Sequence, residues 1–348
     1  SAPLRLPRTW LMAGWFVLAL LAGILAGANQ VTAILFFVPA LLVAAAMPPL
    51  LAIAWLQGNR QDGLTWRRGA VAFWGGATVS TLLAVVLEFA LPLFVVALLL
   101  GRSDLLYYNF SGLLTALEGN EVSRALTNPA FVFAFIQLTI IAPLVEETVK
   151  PLVTLPLIGR LARRDAFLVA AMAGAGFAVL ENVLYAGTGL SIWAGILLVR
   201  ATGAAIHPVG AGLVGLSLRD LLNGERDAAR NGLARFGLAV GLHALWNGGS
   251  LLVITLAGAR FFGPQPAGLN VMGLSIAGIA LAFLIVLGLG ALWLGRTVLA
   301  RLETPGLEAT PALDVQFLFS NRAVALWAIA CLIVVVPASV MALRGLLR

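Results

Sequence analysis

Long apolar runs separated by short polar connections dominate this chain of 348 residues. About nine of the runs approach the roughly 20 residues that a helix needs to cross a bilayer. They cover residues 11–28, 31–56, 70–100, 131–158, 166–187, 192–217, 234–257, 270–295 and 323–344. The pattern predicts an all-α fold: a polytopic transmembrane helix bundle of about nine spans.

The connections between the runs are mostly short, so we expect residues 1–348 to form a single membrane-embedded domain. Two connections are longer. Residues 101–130 alternate polar and apolar positions, which is typical of an amphipathic helix lying at a membrane face. Residues 302–321 form a linker that contains proline and threonine.

Composition supports a membrane protein, because 61% of the residues are hydrophobic and only 11% are charged. A soluble domain carries about 25% charged residues. The net charge of +7 comes from arginines in alternate short connections, a pattern typical of cytoplasmic loops. We therefore expect a multi-pass protein with a cytoplasmic N-terminus, and the lipid bilayer rather than nucleic acid as its partner.

The two histidines of the chain, His207 and His243, lie inside apolar runs. Glu146, Glu147 and Glu181 do as well. A charge inside hydrocarbon costs at least about 2.5–3.5 kcal/mol, so such residues indicate a functional site and usually face one another. At about 1.5 Å of rise per helical residue, the histidines, Glu146 and Glu181 all lie roughly 18–24 Å from an arginine-rich edge.

Glutamate and histidine together indicate metal-assisted activation of water. A catalytic zinc site uses three protein ligands and leaves one position for water. His207, His243 and Glu181 make one such set of ligands, and Glu147 is the alternative to Glu181. Glu146 would then take the proton from water and pass it to the leaving amine. The sequence predicts a divalent cation, first of all zinc, and does not decide whether one is bound.

Three further polar residues support this set. Lys150 shares a helix face with the paired glutamates three and four residues before it, and would keep them ionised or cross-link the helices. Asn247 lies one turn after His243 and would stabilise an oxyanion or orient the substrate. Asn182 is a second candidate for that role.

Other residues of the spans receive structural interpretations. We interpret Glu88 as structural and Arg200 as reaching outward to the membrane surface, as long basic side chains do. Small residues let membrane helices pack closely. The spans with polar residues contain several of them, including Gly174, Gly203, Gly210 and the GxxxG pair Gly237 and Gly241.

Four motifs occur in order on successive spans: EETVK at 146–150, FAVLEN at 177–182, the lone His207, and HALWN at 243–247. In this order they resemble the PrsW family of intramembrane proteases. That family is related to type II CAAX-prenyl endopeptidases, to bacteriocin-processing enzymes and to the APH-1 subunit of gamma-secretase. The CAAX enzymes have histidine at the position of Glu181, which argues against processing of prenylated proteins here.

The resemblance covers about residues 131–255, and the catalytic core that bears the motifs is expected at about 131–257. It implies an enzyme that cleaves a membrane-anchored protein, such as an anti-sigma-factor-like regulator, with Glu146 as general base. It also implies a bacterial cytoplasmic membrane. No aspartate lies in a confident span and HExxH is absent, so aspartyl and zincin proteases fit poorly.

Non-proteolytic functions stay open at this point. The same polar residues could organise the helices of a non-catalytic scaffold of the APH-1 type, with the histidines as hydrogen-bond partners between helices. Intramembrane Glu, His and Lys side chains also relay protons in transporters. A transporter would favour inverted repeats with broken helices, which the sequence does not show.

Overall fold

The computed structural model describes residues 2–27, 32–58, 64–88, 90, 129–189, 192–253, 271–302 and 320–331. Helices are the regular elements of these ranges, together with one isolated β-bridge between Pro3 and Thr65. The predicted all-α class is therefore confirmed. Most of the predicted amphipathic helix, the linker after residue 302, and the last span beyond Cys331 lie outside the described residues.

The helices, numbered in chain order, are α1 (Thr9–Gly27), α2 (Leu35–Gln57), α3 (Trp66–Glu88), α4 (129–149), α5 (Leu155–Ile158), α6 (Arg163–Thr188), α7 (Trp193–Thr202), α8 (Ile206–Leu222), α9 (Ala228–Val253), α10 (Val271–Arg301) and α11 (Asn321–Cys331). Three of them contain a π-helical turn: Ala33–Phe37 at the start of α2, Gly76–Ser80 in α3 and Gln137–Ile141 in α4.

Within the described ranges, α1, α2, α3, α6 and most of α10 are long and apolar enough to cross a bilayer. Helices α7 and α8 meet the same test only as a pair bent by 44°. The chain is thus a multi-pass membrane protein with five or six candidate spans in its described part, and the expected nine are not confirmed. Its orientation in the membrane stays a prediction.

The span predicted at 131–158 ends early, at Val149. Pro151 has no backbone N–H to continue the helical hydrogen bonds, and the chain passes into a tight turn over Leu152–Thr154. The carbonyl of Lys150, at this break, accepts a hydrogen bond of 3.2 Å from the Ser80 hydroxyl of α3. The break therefore fixes the end of α4 against α3 and places Lys150 inside the protein.

Helix α6 runs through the centre of the bundle, where residues 166–173 are buried on all sides. Glycines let it approach its neighbours at backbone distance. A Cβ on Gly174 would overlap the carbonyl oxygen of His207 in α8, and one on Gly176 would overlap the carbonyl of Phe73 in α3. The close packing expected of the small residues is thus present where α6 meets the helix that carries His207.

Close packing is not seen at Gly237 and Gly241 in the described part of the chain, because an added Cβ at either position would meet no described atom within 4 Å. The close contacts of α9 lie further along the helix. There a Cβ on Gly249 would lie 2.8 Å from Leu284 of α10. A GxxxG spacing alone does not say which helix face is turned to a neighbour.

We expect Gly174→Ala to lower the free energy of unfolding by about 1–3 kcal/mol, because the added methyl group has no room against α8. Gly241→Ala is the matched control and should change it by less than about 0.5 kcal/mol. Unfolding of the purified chain in bicelles measures both. Equal stability of the two variants would contradict the close contact between α6 and α8.

Candidate active site and metal centre

Four helices bring the polar residues of the spans into one buried cluster, in which no member is more than 9% exposed. Its members are Glu146, Glu147 and Lys150 at the end of α4, Glu181 in α6, His207 in the first turn of α8, and His243 in α9. The structure therefore brings together the residues that the sequence predicted to face one another.

Lys150 lies at the centre of the cluster and is fully buried. Its ammonium group donates to Glu147 Oε1 and to His207 Nδ1, both at 2.7 Å, and pairs with Glu146 Oε2 at 2.9 Å. It also lies 4.6 Å from the centre of the Phe177 ring. Lys150 thus joins α4 to α8 and pairs with both glutamates of the motif.

The two imidazoles have different surroundings. His243 Nδ1 lies 2.9 Å from Glu147 Oε1, and because a carboxylate only accepts, the ring donates from Nδ1 and keeps a lone pair on Nε2. His207 Nδ1 accepts from the ammonium of Lys150, so its proton is on Nε2, which faces Glu181 Oε2 at 3.2 Å. His243 is therefore arranged as a metal ligand, whereas His207 must first lose the proton on Nε2.

Room for Glu147 comes from a glycine in α8. Gly210 lies one turn after His207, and a Cβ there would overlap the Glu147 carboxylate. Carboxylates that receive the second ring N–H of a metal-binding histidine fix the tautomer and orientation of the ring. Glu147 Oε1 occupies this place for His243, while Glu147 Oε2 is buried and makes no hydrogen bond. The choice between Glu147 and Glu181 as a ligand stays a prediction.

Glu181 is held by Arg200, which corrects one interpretation. Arg200 was expected to reach the membrane surface, but its side chain is only 9% exposed, and it donates to Glu181 Oε2 at 2.8 Å and to Asn182 Oδ1. Asn182 in turn donates to the Ala45 carbonyl at 2.9 Å. Since a buried carboxylate attracts the guanidinium, the side chain turns inward. The rule that intramembrane charges face one another could have found Arg200 as well.

Asn247 is committed to a backbone contact in this structure. Its amide nitrogen donates to the Leu138 carbonyl at 2.8 Å, inside the π-helical turn of α4. The amide nitrogen has a second N–H, so the predicted oxyanion role is compatible with this bond and stays a prediction. Trp246 is the residue before Asn247. Its ring centre lies 6.4 Å from that of His207, and it forms one wall of the cluster together with Phe177.

The backbone carbonyl of Glu88 accepts a hydrogen bond from the Gln137 side chain. The structural role expected for Glu88 stays a prediction.

The donor set fits a divalent cation. Glu146, His207 and His243 each offer one ligand atom, and the three atoms lie within 4.8 Å of one another. The Nε2 atoms of both histidines and Oε2 of Glu146 are buried and make no hydrogen bond. With neutral imidazoles and ionised carboxylates, the three glutamates outnumber by one charge the two cations that pair with them, Lys150 and Arg200. A bound cation would offset that charge.

Comparison with known proteins agrees with this geometry. The sequence model described as "PrsW family intramembrane metalloprotease" matches residues 65–289, which is more than half of the chain. The chain belongs to the PrsW family. No curated protein and no solved structure matches it.

Membership of the PrsW family makes the protein an intramembrane metalloprotease, as the four motifs indicated. The matched range begins directly before α3 and ends in α10, so it extends beyond the motif-bearing helices on both sides. It includes the π-helical turn of α3 beside Lys150 and the whole of α7, which carries Arg200.

We expect Lys150→Met to lower the free energy of unfolding by about 3–5 kcal/mol, because it leaves buried carboxylates without their cation. The double variant Lys150→Met with Glu147→Gln restores the net charge of the cluster and should regain part of that loss. Unfolding measured in bicelles tests both. A stable single variant, or a double variant less stable than the single, would contradict the central position of Lys150.

Proposed function

We propose that this PrsW-family protease hydrolyses a peptide bond of a membrane-anchored protein, with water activated between Glu146 and the two histidines. An anti-sigma-factor-like regulator is the substrate class that the family resemblance favours. The observation that carries the proposal is the meeting of three ligand atoms, from α4, α8 and α9, in one buried group within 4.8 Å. Buried ionisable groups inside a bilayer usually have a function, so this group favours a hydrolytic role over a purely structural one.

Glu146 is the general base in this proposal. Apart from its ion pair with Lys150, its Oε2 has no polar partner at hydrogen-bond distance, and it lies 3.8 Å from His243 Nε2 and 3.9 Å from His207 Nδ1. From there it can take the proton of the attacking water and return it to the leaving amine. The ammonium of Lys150 at 2.9 Å favours the ionised carboxylate that this step needs.

His207, His243 and Glu181 would hold the cation, and zinc is the metal that this donor set suits best. When bound, it polarises the scissile carbonyl and makes water more acidic. Glu181 Oε2 lies 3.2 Å from His207 Nε2 and is our proposal for the third ligand. The group of three ligand atoms within 4.8 Å contains Glu146 in place of Glu181, so Glu146 is the alternative ligand.

The remaining polar residues position these groups. Glu147 fixes the ring of His243 through Nδ1, and Lys150 connects Glu147 to His207. Asn247 ties α9 to the π-helical turn of α4, and Asn182 ties α6 to α2. We propose a positioning role for both asparagines. The catalytic core is proposed at 131–257, within a single domain.

The family does not favour the alternative functions. A scaffold of the APH-1 type would need Lys150 and the glutamates only as an ion-pair cluster, which leaves the unbonded Nε2 atoms unexplained. The bend between α7 and α8 is a broken span of the kind that transporters contain. Here it lies beside the cluster of a protease family. We also propose a cytoplasmic N-terminus, in a bacterial cytoplasmic membrane, from the arginine pattern and the family.

We expect Glu146→Gln to abolish proteolysis while the purified chain keeps its metal and its fold. New N-termini in the membrane proteins of cells that express each variant, identified by mass spectrometry, provide the readout without a chosen substrate. Glu225→Gln is the matched control, because the same change is made at an exposed carboxylate that pairs with Arg219.

The proposal requires a set of new N-termini that the wild type and Glu225→Gln share and that Glu146→Gln lacks. Cleavage by Glu146→Gln equal to the wild type would remove its role as base. Loss of the metal in Glu146→Gln, with retention in Glu181→Gln, would reverse the roles of the two carboxylates.

A further inference from the structure

The site contains a buried cation, Arg200, that does not belong to any of the four motifs. It lies in the last turn of α7, and the chain turns by 44° before His207 opens α8. In a straight helix two residues seven positions apart lie about 10 Å from each other along one face. The bend lets Arg200 and His207 approach the same carboxylate, Glu181 of α6, from two sides.

The break in the helix is shaped around Trp246. A Cβ on Gly203, directly after α7, would overlap the indole of Trp246. The indole lies 5.3 Å from the Arg200 guanidinium on one side and 6.4 Å from the His207 ring on the other. Tyr185 lies 4.5 Å from the same guanidinium. Aromatic faces attract cations, so these two rings stabilise the Arg200 guanidinium beside Glu181.

The guanidinium uses its fork for two neighbours on α6. One arm donates to Glu181 Oε2 at 2.8 Å, the atom that lies 3.2 Å from His207 Nε2, and Nε donates to Asn182 Oδ1. Asn182 is fixed to the backbone of α2 by its bond to Ala45. Contacts with α2, α6 and α9 therefore fix the position of Arg200, and Arg200 in turn fixes a single oxygen, Glu181 Oε2.

We propose that Arg200 is a positioning residue that holds the Glu181 carboxylate against His207 Nε2, where the cation binds. The inference rests on the proposed function, since it gives Glu181 its place as third ligand. Hydrogen bonds to ligating carboxylates orient the ligand, and their loss typically weakens metal binding about 10–100-fold. Arg200 acts through Glu181 and does not itself touch the reacting atoms.

The test is the zinc dissociation constant of the purified full chain, measured by competition with a chelator of known affinity, with unfolding temperature recorded in parallel. We expect Arg200→Gln to raise the constant about 10–100-fold. Arg200→Lys should recover part of the loss, because an ammonium can reach Glu181 but does not offer the fork. Glu181→Gln combined with Arg200→Gln should bind zinc no more weakly than Glu181→Gln alone.

Arg235→Gln is the matched control. Arg235 pairs at 2.9 Å with Asp220, which is buried at the other end of α8, so its loss should affect stability and leave zinc affinity unchanged. Zinc binding by folded Arg200→Gln equal to the wild type would overturn the inference alone. Losses that multiply in the double variant would do the same. A wild-type chain that binds no zinc would overturn the proposed function, and the inference with it.

Discussion

The structure depends on compensation of charge inside the membrane, and Lys150 provides the centre of that compensation. Its ammonium contacts both glutamates of α4 and the imidazole of His207, and it has no exposure to solvent. A buried charge is tolerated only when it is paired and hydrogen-bonded, so each group in the cluster fixes the place of the next. Because Lys150 satisfies Nδ1 of His207 and Glu147 satisfies Nδ1 of His243, Nε2 of His243 keeps its lone pair and Nε2 of His207 carries the proton that a metal would replace.

Helix packing makes this arrangement possible, since short side chains from four helices meet only if the backbones come close. Gly174 brings α6 against the carbonyl of His207, and Gly210 leaves room for Glu147. The breaks at Pro151 and after α7 serve the same purpose, because they end α4 at Lys150 and turn Arg200 and His207 toward Glu181. Close contacts between helices and breaks within them therefore together bring the polar side chains into one cluster.

The chemistry of this site could be predicted from sequence because charges are rare in apolar runs and their spacing gives helix faces. Glu146, Lys150, His207 and His243 meet as that argument requires. Contacts between helices could not be predicted in the same way. The rule that intramembrane charges face one another applies to Arg200, but no neighbour in sequence shows that Glu181 is its partner. Gly237 and Gly241 have the spacing of a packing motif, yet no neighbour approaches them among the described residues. The bend within the predicted single span at 192–217 was likewise not predicted, because an apolar pattern does not show the direction of a helix axis.

The central claim is that two histidines and a carboxylate of this buried cluster hold one divalent cation for peptide hydrolysis. Elemental mass spectrometry of the chain, purified without chelators, tests it most directly beside His207→Ala and His243→Ala. We predict about one zinc per wild-type chain, as for a catalytic site with three protein ligands, and loss of the metal in both variants while they remain folded. A wild-type chain without a stoichiometric divalent metal, or folded histidine variants that keep it, would contradict the account.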